Sequence, residues 1–196
     1  SATVYGKPKY LPYDEEHPTN PVNPYGRTKL MIENIISDWT KVDLKRKGTI
    51  LRYFNPVGAH ESGQIGEEPI GIPNNLMPYI AQVADGRREH LNIFGNDYET
   101  ADGTGARDYI HVVDLALAHI GALNQSKLDK FEVLNIGGGK STTVLELIKS
   151  FEETSGVTIK FKYSPRRDGD LAAFWADSSK SFEKMDWKPE RNIKKI

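Results

Sequence analysis

Asn23-Pro24-Tyr25-Gly26-Arg27-Thr28-Lys29-Leu30 carries the chain from a proline-rich loop into an amphipathic helix, and its spacing decides how the rest is read. Pro24 suits a first helical turn behind an Asn23 cap. From there Leu30, Ile32, Ile35, Ile36 and Trp39 recur near the helical period, which predicts a helix over about 24–45. Positions i and i+4 share a helix face, so the Tyr25 phenol and the Lys29 ammonium converge on one target. A free phenol has a pKa of about 10. A cation within roughly 4–6 Å favours the phenolate, which brings proton abstraction near neutral pH within reach. After this helix Thr49-Ile50-Leu51-Arg52-Tyr53 reads as a strand, the helix-to-strand step of a parallel sheet.

On the N-terminal side, Ser1-Ala2-Thr3-Val4-Tyr5-Gly6 is a short β-branched run ending at a glycine, expected as a strand tip presenting small hydroxyls. Beyond the strand, 54–75 is glycine, proline and polar residues without periodicity, and loops of that length are usually functional. The remaining expectations are a helix from Asn75 closed by Gly86, a strand at 91–94 and a polar loop over 96–107. They continue with a helix at 113–124, a strand at 131–136, a helix at 144–154, a strand at 159–163 and a helix at 178–185. The alternation is α/β throughout.

Charged residues make up 27% of the chain and the net charge is −1, which points to neither nucleic acid nor an anionic membrane as a partner. The absence of cysteine excludes a disulfide framework and thiolate metal sites and fits a reducing compartment. No apolar run approaches the roughly 20 residues of a bilayer span, and no signal-peptide pattern opens the chain. A cytoplasmic protein is the simplest reading. His17, His60, His90, His111 and His119 include no close pair, so no metal site is expected. No G-x-S-x-G elbow supports a hydrolase.

Gly137-Gly138-Gly139-Lys140-Ser141-Thr142 imitates a phosphate-binding loop, but Leu134 stands where that motif needs its first glycine. The glycines are read instead as a tight strand-to-helix turn capped by Ser141 or Thr142. The run Lys45-Arg46-Lys47 reads as a solvated helix end. Arg107 and Arg167 each adjoin an acidic residue, Asp108 and Asp168. They form either intradomain ion pairs or, together, a bidentate grip on a diphosphate. No G-x-G-x-x-G follows a strand, so the glycine-rich dinucleotide-binding unit is not in this chain.

Taken in order, these segments, with Arg52-Tyr53-Phe54-Asn55-Pro56-Val57-Gly58, Gly71-Ile72-Pro73-Asn74-Asn75-Leu76, Arg107-Asp108-Tyr109-Ile110-His111-Val112 and Arg166-Arg167-Asp168-Gly169-Asp170, give a recognisable pattern. From Ser1 to about Trp187 the chain resembles the UDP-glucose 4-epimerase family of extended short-chain dehydrogenases/reductases. The resemblance implies an α/β fold: the tail of a Rossmann-like parallel sheet plus a smaller α/β substrate-binding domain. Residues 1–55 would be the remainder of the dinucleotide-binding domain, and 56–196 mainly the UDP-sugar domain, with about 108–140 returning to the first. The chain is expected to be the C-terminal portion of such an enzyme, cut short after Ile196, and by itself neither to hold NAD nor to turn over.

The resemblance further implies interconversion of UDP-glucose and UDP-galactose in galactose metabolism, by NAD-mediated oxidation and re-reduction at sugar C4. Tyr25 would take the 4-hydroxyl proton, Ser1 relay a hydrogen bond, and Lys29 lower the tyrosine pKa and hold the nicotinamide ribose. Tyr53 would be a further cofactor contact, with Thr3 and Tyr5 as candidates beside the sugar. Arg107 and Arg167 would grip the diphosphate, with Asn74, Asn75 and Leu76 at a helix start beside it. Asp170 would accept from the ribose hydroxyls, the backbone from Asn92 to Phe94 would read the uracil, and Asn55 would orient the sugar or its phosphate. Phe174 would either line the pocket beside the sugar's 2-substituent or be a core residue. Two alternatives stand beside this reading: a nucleotide-sugar dehydratase, which places an Asp-Glu pair by the strand-tip threonine, and a non-catalytic UDP-sugar-binding module. Relatives pair as homodimers through a bundle that includes the 24–45 helix.

Overall fold

In the computed structural model, residues 1–124 and 127–195 are described. Ile196, where the second expected domain ends, and Gln125 and Ser126, inside the expected returning segment, lie outside the described residues. Helix α1 (Pro24–Val42) starts as its sequence predicts, with the Asn23 side chain accepting from the Gly26 N–H at 2.7 Å. It stops before the 45 expected, because Asp43 turns extended and its carboxylate accepts from the Lys45 N–H at 2.9 Å, an Asx turn that competes with the helix. The basic run therefore follows the helix. Arg46 still reaches back, donating to the Trp39 carbonyl at 3.3 Å with its guanidinium 5.0 Å over the Trp39 ring.

Strand β1 (Gly48–Tyr53) pairs in parallel with β5 (Phe131–Ile136), Ile50 opposite Val133. Helices α3 (Val112–Asn124) and α5 (Ser179–Met185) cover one face of this pair, enclosing a core that includes Ile110, Leu115, Leu134, Ile136 and Trp187. A second core joins α2 (Leu76–Ala84) and α4 (Val144–Ser155) to β3 (Leu91–Phe94) through Ile80, Leu91, Ile93, Leu147, Ile148 and Ile159. Among the described residues no helix is long and apolar enough to cross a membrane.

Segments read as loops carry strands. β2 (Asn55–Val57) lies at the start of 54–75, and β4 (Ala106–His111) takes Arg107 out of the expected loop. β4 is a hub, parallel to β2 and to β8 (Ala173–Phe174) and antiparallel to β6 (Ser141–Thr143). Each of these strands is held by partners distant in sequence, and its opening residues show no alternation that a local pattern could register. β7 (Phe161–Ser164) pairs with β3 and begins later than expected, because the Ile159 N–H is bonded to Glu152 at 2.7 Å and its side chain is committed to the second core.

The opening run is not a strand tip. Ala2–Val4 forms a 3-10 turn that tucks Val4 and Tyr5 into a small core with Tyr13, Phe54 and Ala176. Burial of these side chains in one place requires the chain to curl, which an extended strand with alternating faces cannot do.

The glycine turn is explained by Asp108. Its carboxylate accepts from the Gly138 N–H at 2.6 Å and from the Gly139 and Ala176 N–H groups at 3.0 Å each. A Cβ at position 137 would stand 2.5 Å from Asp108 Oδ2. Thus the imitation phosphate loop cradles an anion after all, the chain's own carboxylate, and Asp108 is not the ion-pair partner of Arg107. Burial pushes Asp108 up to about 6, against the three backbone donors. The helix cap is also corrected: Thr143, rather than Ser141 or Thr142, accepts from the Glu146 N–H at 3.1 Å, and Glu146 closes a capping box by accepting from the Thr143 N–H at 2.8 Å.

Candidate active site

Tyr25 and Lys29 stand one turn apart on the open face of α1, the Lys29 ammonium 5.2 Å from the centre of the Tyr25 ring. Tyr25 is 55% exposed, as a residue that meets a ligand must be. Close by, the Thr3 carbonyl lies against Gly26, where a Cβ would meet it at 2.7 Å, and the Ser1 and Thr3 hydroxyls are joined at 2.8 Å. Hydroxyls, a phenol and an ammonium are the kinds of group that proton transfer needs. Tyr5 takes no part in that set: it is fully buried, donates to Asn135 Oδ1 at 2.6 Å, and burial pushes its phenol up to about 12. Tyr53 packs its ring against the α3 core, 6.1 Å from the His119 ring.

A cavity of about 500 Å³ is lined by every expected substrate contact except Phe174. Asn55 comes from β2, Asn74, Asn75 and Leu76 from the start of α2, and Asn92 and Phe94 from β3. Arg107 comes from β4, and Arg167 and Asp170 from the loop after β7. The side chain of Asn75 does not cap α2; it donates to Glu67 Oε1 at 3.0 Å, leaving the first-turn N–H groups of Leu76 and Met77 without a side-chain cap, a setting that favours an anion.

The two arginines share one carboxylate. Arg167 Nε donates to Asp170 Oδ2 at 2.8 Å, and Arg107 Nη2 is 3.8 Å from Asp170 Oδ1. Asp168, its neighbour in sequence, is not the partner of Arg167. Each guanidinium lies on an aromatic ring: Arg107 is 4.9 Å over Phe174 and Arg167 4.9 Å over Phe94. Arg107 Nη1 is committed to the Ala106 and Leu171 carbonyls at 2.9 and 2.8 Å and Arg167 Nε to Asp170, so the remaining N–H groups of each flat guanidinium are those left for phosphate oxygens. Burial pulls Arg107 below its ordinary pKa, with Asp170 opposing. Phe174 is thus a pedestal beneath Arg107, its ring 5.8 Å from Phe54 and 6.4 Å from Tyr13.

Tyr109, Tyr98 and Glu67 also line the cavity and were not read from the sequence. Tyr109 alternates with Arg107 along β4, so recognising that strand would have found it. Burial pushes its phenol up to about 12, so it serves as a neutral hydroxyl. Among the described residues no three histidines, aspartates or glutamates gather as a metal site would require.

The family model described as GDP-mannose 4,6 dehydratase matches residues 1–196. Among curated proteins, a UDP-glucose 4-epimerase of Erwinia amylovora is 55% identical over 98% of this chain and 58% of its own length. Among solved structures, a UDP-glucose 4-epimerase from Stenotrophomonas maltophila with bound NAD and formylated UDP-arabinopyranose superposes with a TM-score of 0.96 at 48% identity, covering 100% of this chain and 59% of that one. The Bifidobacterium longum UDP-glucose 4-epimerase in complex with NAD+ and UDP gives 0.94 at 50% identity, with 100% and 59% coverage. The chain therefore spans rather more than half the length of these relatives.

Proposed function

This chain belongs to the GDP-mannose 4,6 dehydratase family, and from that premise we propose that it is the catalytic-dyad and substrate-binding portion of a UDP-glucose 4-epimerase. The observation that carries the reading is the convergence of Arg107, Arg167, Asp170, Asn75 and the Asn92–Phe94 strand on one cavity, in a chain that also presents the Tyr25–Lys29 pair on α1. Cations at the middle and a strand edge at one end suit a nucleoside diphosphate whose sugar reaches toward Asn55. The dehydratase reading lacks its carboxylate pair, since Ser1-Ala2-Thr3 has no acidic neighbour in sequence.

Inverting C4 of a hexose, which bears no acidic hydrogen, needs a hydride acceptor, and a bound NAD supplies that chemistry. Lys29, Tyr25 and Tyr53 are the residues of this chain that would hold it: the exposed Tyr25 phenol and the half-buried Lys29 ammonium form a polar face suited to a ribose. Tyr25 takes the 4-hydroxyl proton as the carbon is oxidised and returns it on reduction, Ser1 and Thr3 steadying that hydroxyl. Arg107 and Arg167 hold the diphosphate while the sugar turns over. Residues 1–55 and the returning segment at about 108–140 belong to the cofactor-side domain, which the β1–β5 pairing supports. The parent is a cytoplasmic homodimer; the apolar stripe of Met31, Ile32, Ile35, Trp39 and Val42 exposed on α1 is the surface that supports pairing.

The test separates binding from turnover. The 196-residue chain should bind UDP by calorimetry and show no interconversion of UDP-glucose and UDP-galactose with added NAD, whereas the complete encoded protein should interconvert them. Absence of UDP binding by either would overturn the reading. Arg107→Met should weaken UDP by roughly 10–150-fold, since a hydrogen bond to a charged group contributes about 1.5–3 kcal/mol.

We propose that substrate breadth turns on Phe174, which lies outside the cavity lining and beneath Arg107. In the complete enzyme Phe174→Gly should admit UDP-N-acetylhexosamine, because an acetamido group and a ring cannot share space. It should also weaken UDP by a few-fold, because Arg107 loses its aromatic pedestal, worth about 0.5–2 kcal/mol. A folded variant that keeps hexose activity and still rejects the N-acetyl sugars removes Phe174 as the gate.

A further inference from the structure

The geometry points to Glu33 and Arg52 as positioning residues for the Tyr25–Lys29 pair, a role that rests on the epimerase reading but is argued from contacts remote from the substrate cavity. Helix α1 touches the body along a narrow seam: its buried residues are Gly26, Glu33 and Thr40. At one end Gly26 abuts the Thr3 carbonyl, and at the other the Thr40 and Ile36 methyls lie against Gly48 of β1. Between them stands a buried ion pair. Glu33 accepts from Arg52 Nη2 at 2.7 Å and from Arg52 Nε at 3.1 Å, with both side chains more than nine-tenths buried.

Tyr25, Lys29 and Glu33 follow one another at i+4 steps, a row that winds from the exposed Tyr25 through the half-buried Lys29 to the buried Glu33, which sits one turn below Lys29. Arg52 also fixes the other half of the proton-transfer set. Its guanidinium lies 4.8 Å over the Tyr5 ring, immediately after the turn that carries Ser1 and Thr3. One guanidinium thus ties α1 to the Ser1–Thr3 turn. Small residues at the seam ends would let the helix slide or roll with little resistance; a bidentate pair, directional and costly to leave unpartnered inside a protein, sets the register. Arg52 Nη1 is already buried with no hydrogen-bond partner among the described residues, and the loss of Glu33 would take the carboxylate acceptor from Nε and Nη2 as well.

The sharp variant is Glu33→Gln, which keeps shape and one acceptor, examined in the complete encoded protein beside Glu33→Asp, Arg52→Lys and a control truncation, Ile159→Ala, in the separate core between α2 and α4. Two readouts are taken: steady-state kinetics, and amide hydrogen exchange over residues 24–33. Glu33→Gln should lower kcat at least 30-fold while KM for the UDP-sugar stays within three-fold, and should speed exchange over 24–33 at least 10-fold with α4 unchanged. Glu33→Asp should retain more turnover than the glutamine variant. The control should lose thermal stability with kcat kept near wild type below its Tm.

Unchanged exchange over 24–33 overturns the clamp whatever the activity. Faster exchange with unaltered kcat overturns its positioning role. If the wild-type complete protein itself fails to interconvert UDP-sugars, the functional reading falls, and the exchange measurement still decides whether Glu33 and Arg52 hold the helix.

Discussion

Tyr25→Phe in the complete encoded protein is expected to lower turnover by on the order of 10²–10⁴-fold, the range general-base catalysis supplies, while UDP affinity stays within a few-fold. The substitution removes one oxygen and leaves the ring beneath the Lys29 ammonium, 5.2 Å from its centre. Helix α1 should keep its register, because its seam runs through Gly26, Glu33 and Thr40 and not through the exposed phenol. The groups read as holding the diphosphate, Arg107 and Arg167, come from β4 and the loop after β7. A loss confined to kcat is the signature of an interaction made only in the transition state. Steady-state kinetics beside UDP calorimetry checks both halves. Turnover within three-fold of wild type would exclude Tyr25 as the base.

The second large effect concerns stability. Asp108→Ala should destabilise the 196-residue chain by about 3 kcal/mol or more, because three backbone N–H groups lose their acceptor and each buried unsatisfied donor costs about 1–3 kcal/mol. For a chain of this size that corresponds to a fall in Tm of roughly 6–12 °C. The titration of Asp108 gives an independent check. Burial raises its folded-state pKa to about 6, above the ordinary 3.8. The folded state therefore binds the proton more tightly than the unfolded chain. The stability this group contributes is fully present below about pH 4 and lost as pH rises through 6. Asp108→Asn, which cannot titrate, should lack that slope between pH 4 and 6. Denaturant melts of both proteins across this range measure it, and parallel curves would show that Asp108 does not titrate there.

The elements legible in the sequence were those whose evidence is local. Helix α1 announced itself through Asn23, Pro24 and its apolar period, α2 through Asn75 and Gly86, and β5 through Phe131, Val133, Leu134 and Ile136. The i+4 spacing placed Tyr25 and Lys29 on one face without any knowledge of what surrounds them, because a helix fixes that relation by itself. The site residues of the UDP cavity were named through family resemblance, not through periodicity.

Their meeting is tertiary. Asn55, Asn92, Arg107 and Asp170 line one cavity because β2 and β8 both pair with β4, and β3 pairs with β7. Pairings between strands of two to six residues leave no periodic trace. Nearness in sequence likewise failed to choose partners: Asp108 serves the glycine turn instead of Arg107, and Asp170 instead of Asp168 takes Arg167. A carboxylate goes to the donors that the fold brings within about 3 Å, and burial makes those contacts outweigh any exposed pair next to it along the chain. What the sequence by itself determined is the helical face that carries Tyr25 and Lys29. Which anion the glycines cradle, which rings support the arginines and which buried ion pair sets the register of that face were decided only when distant segments packed together.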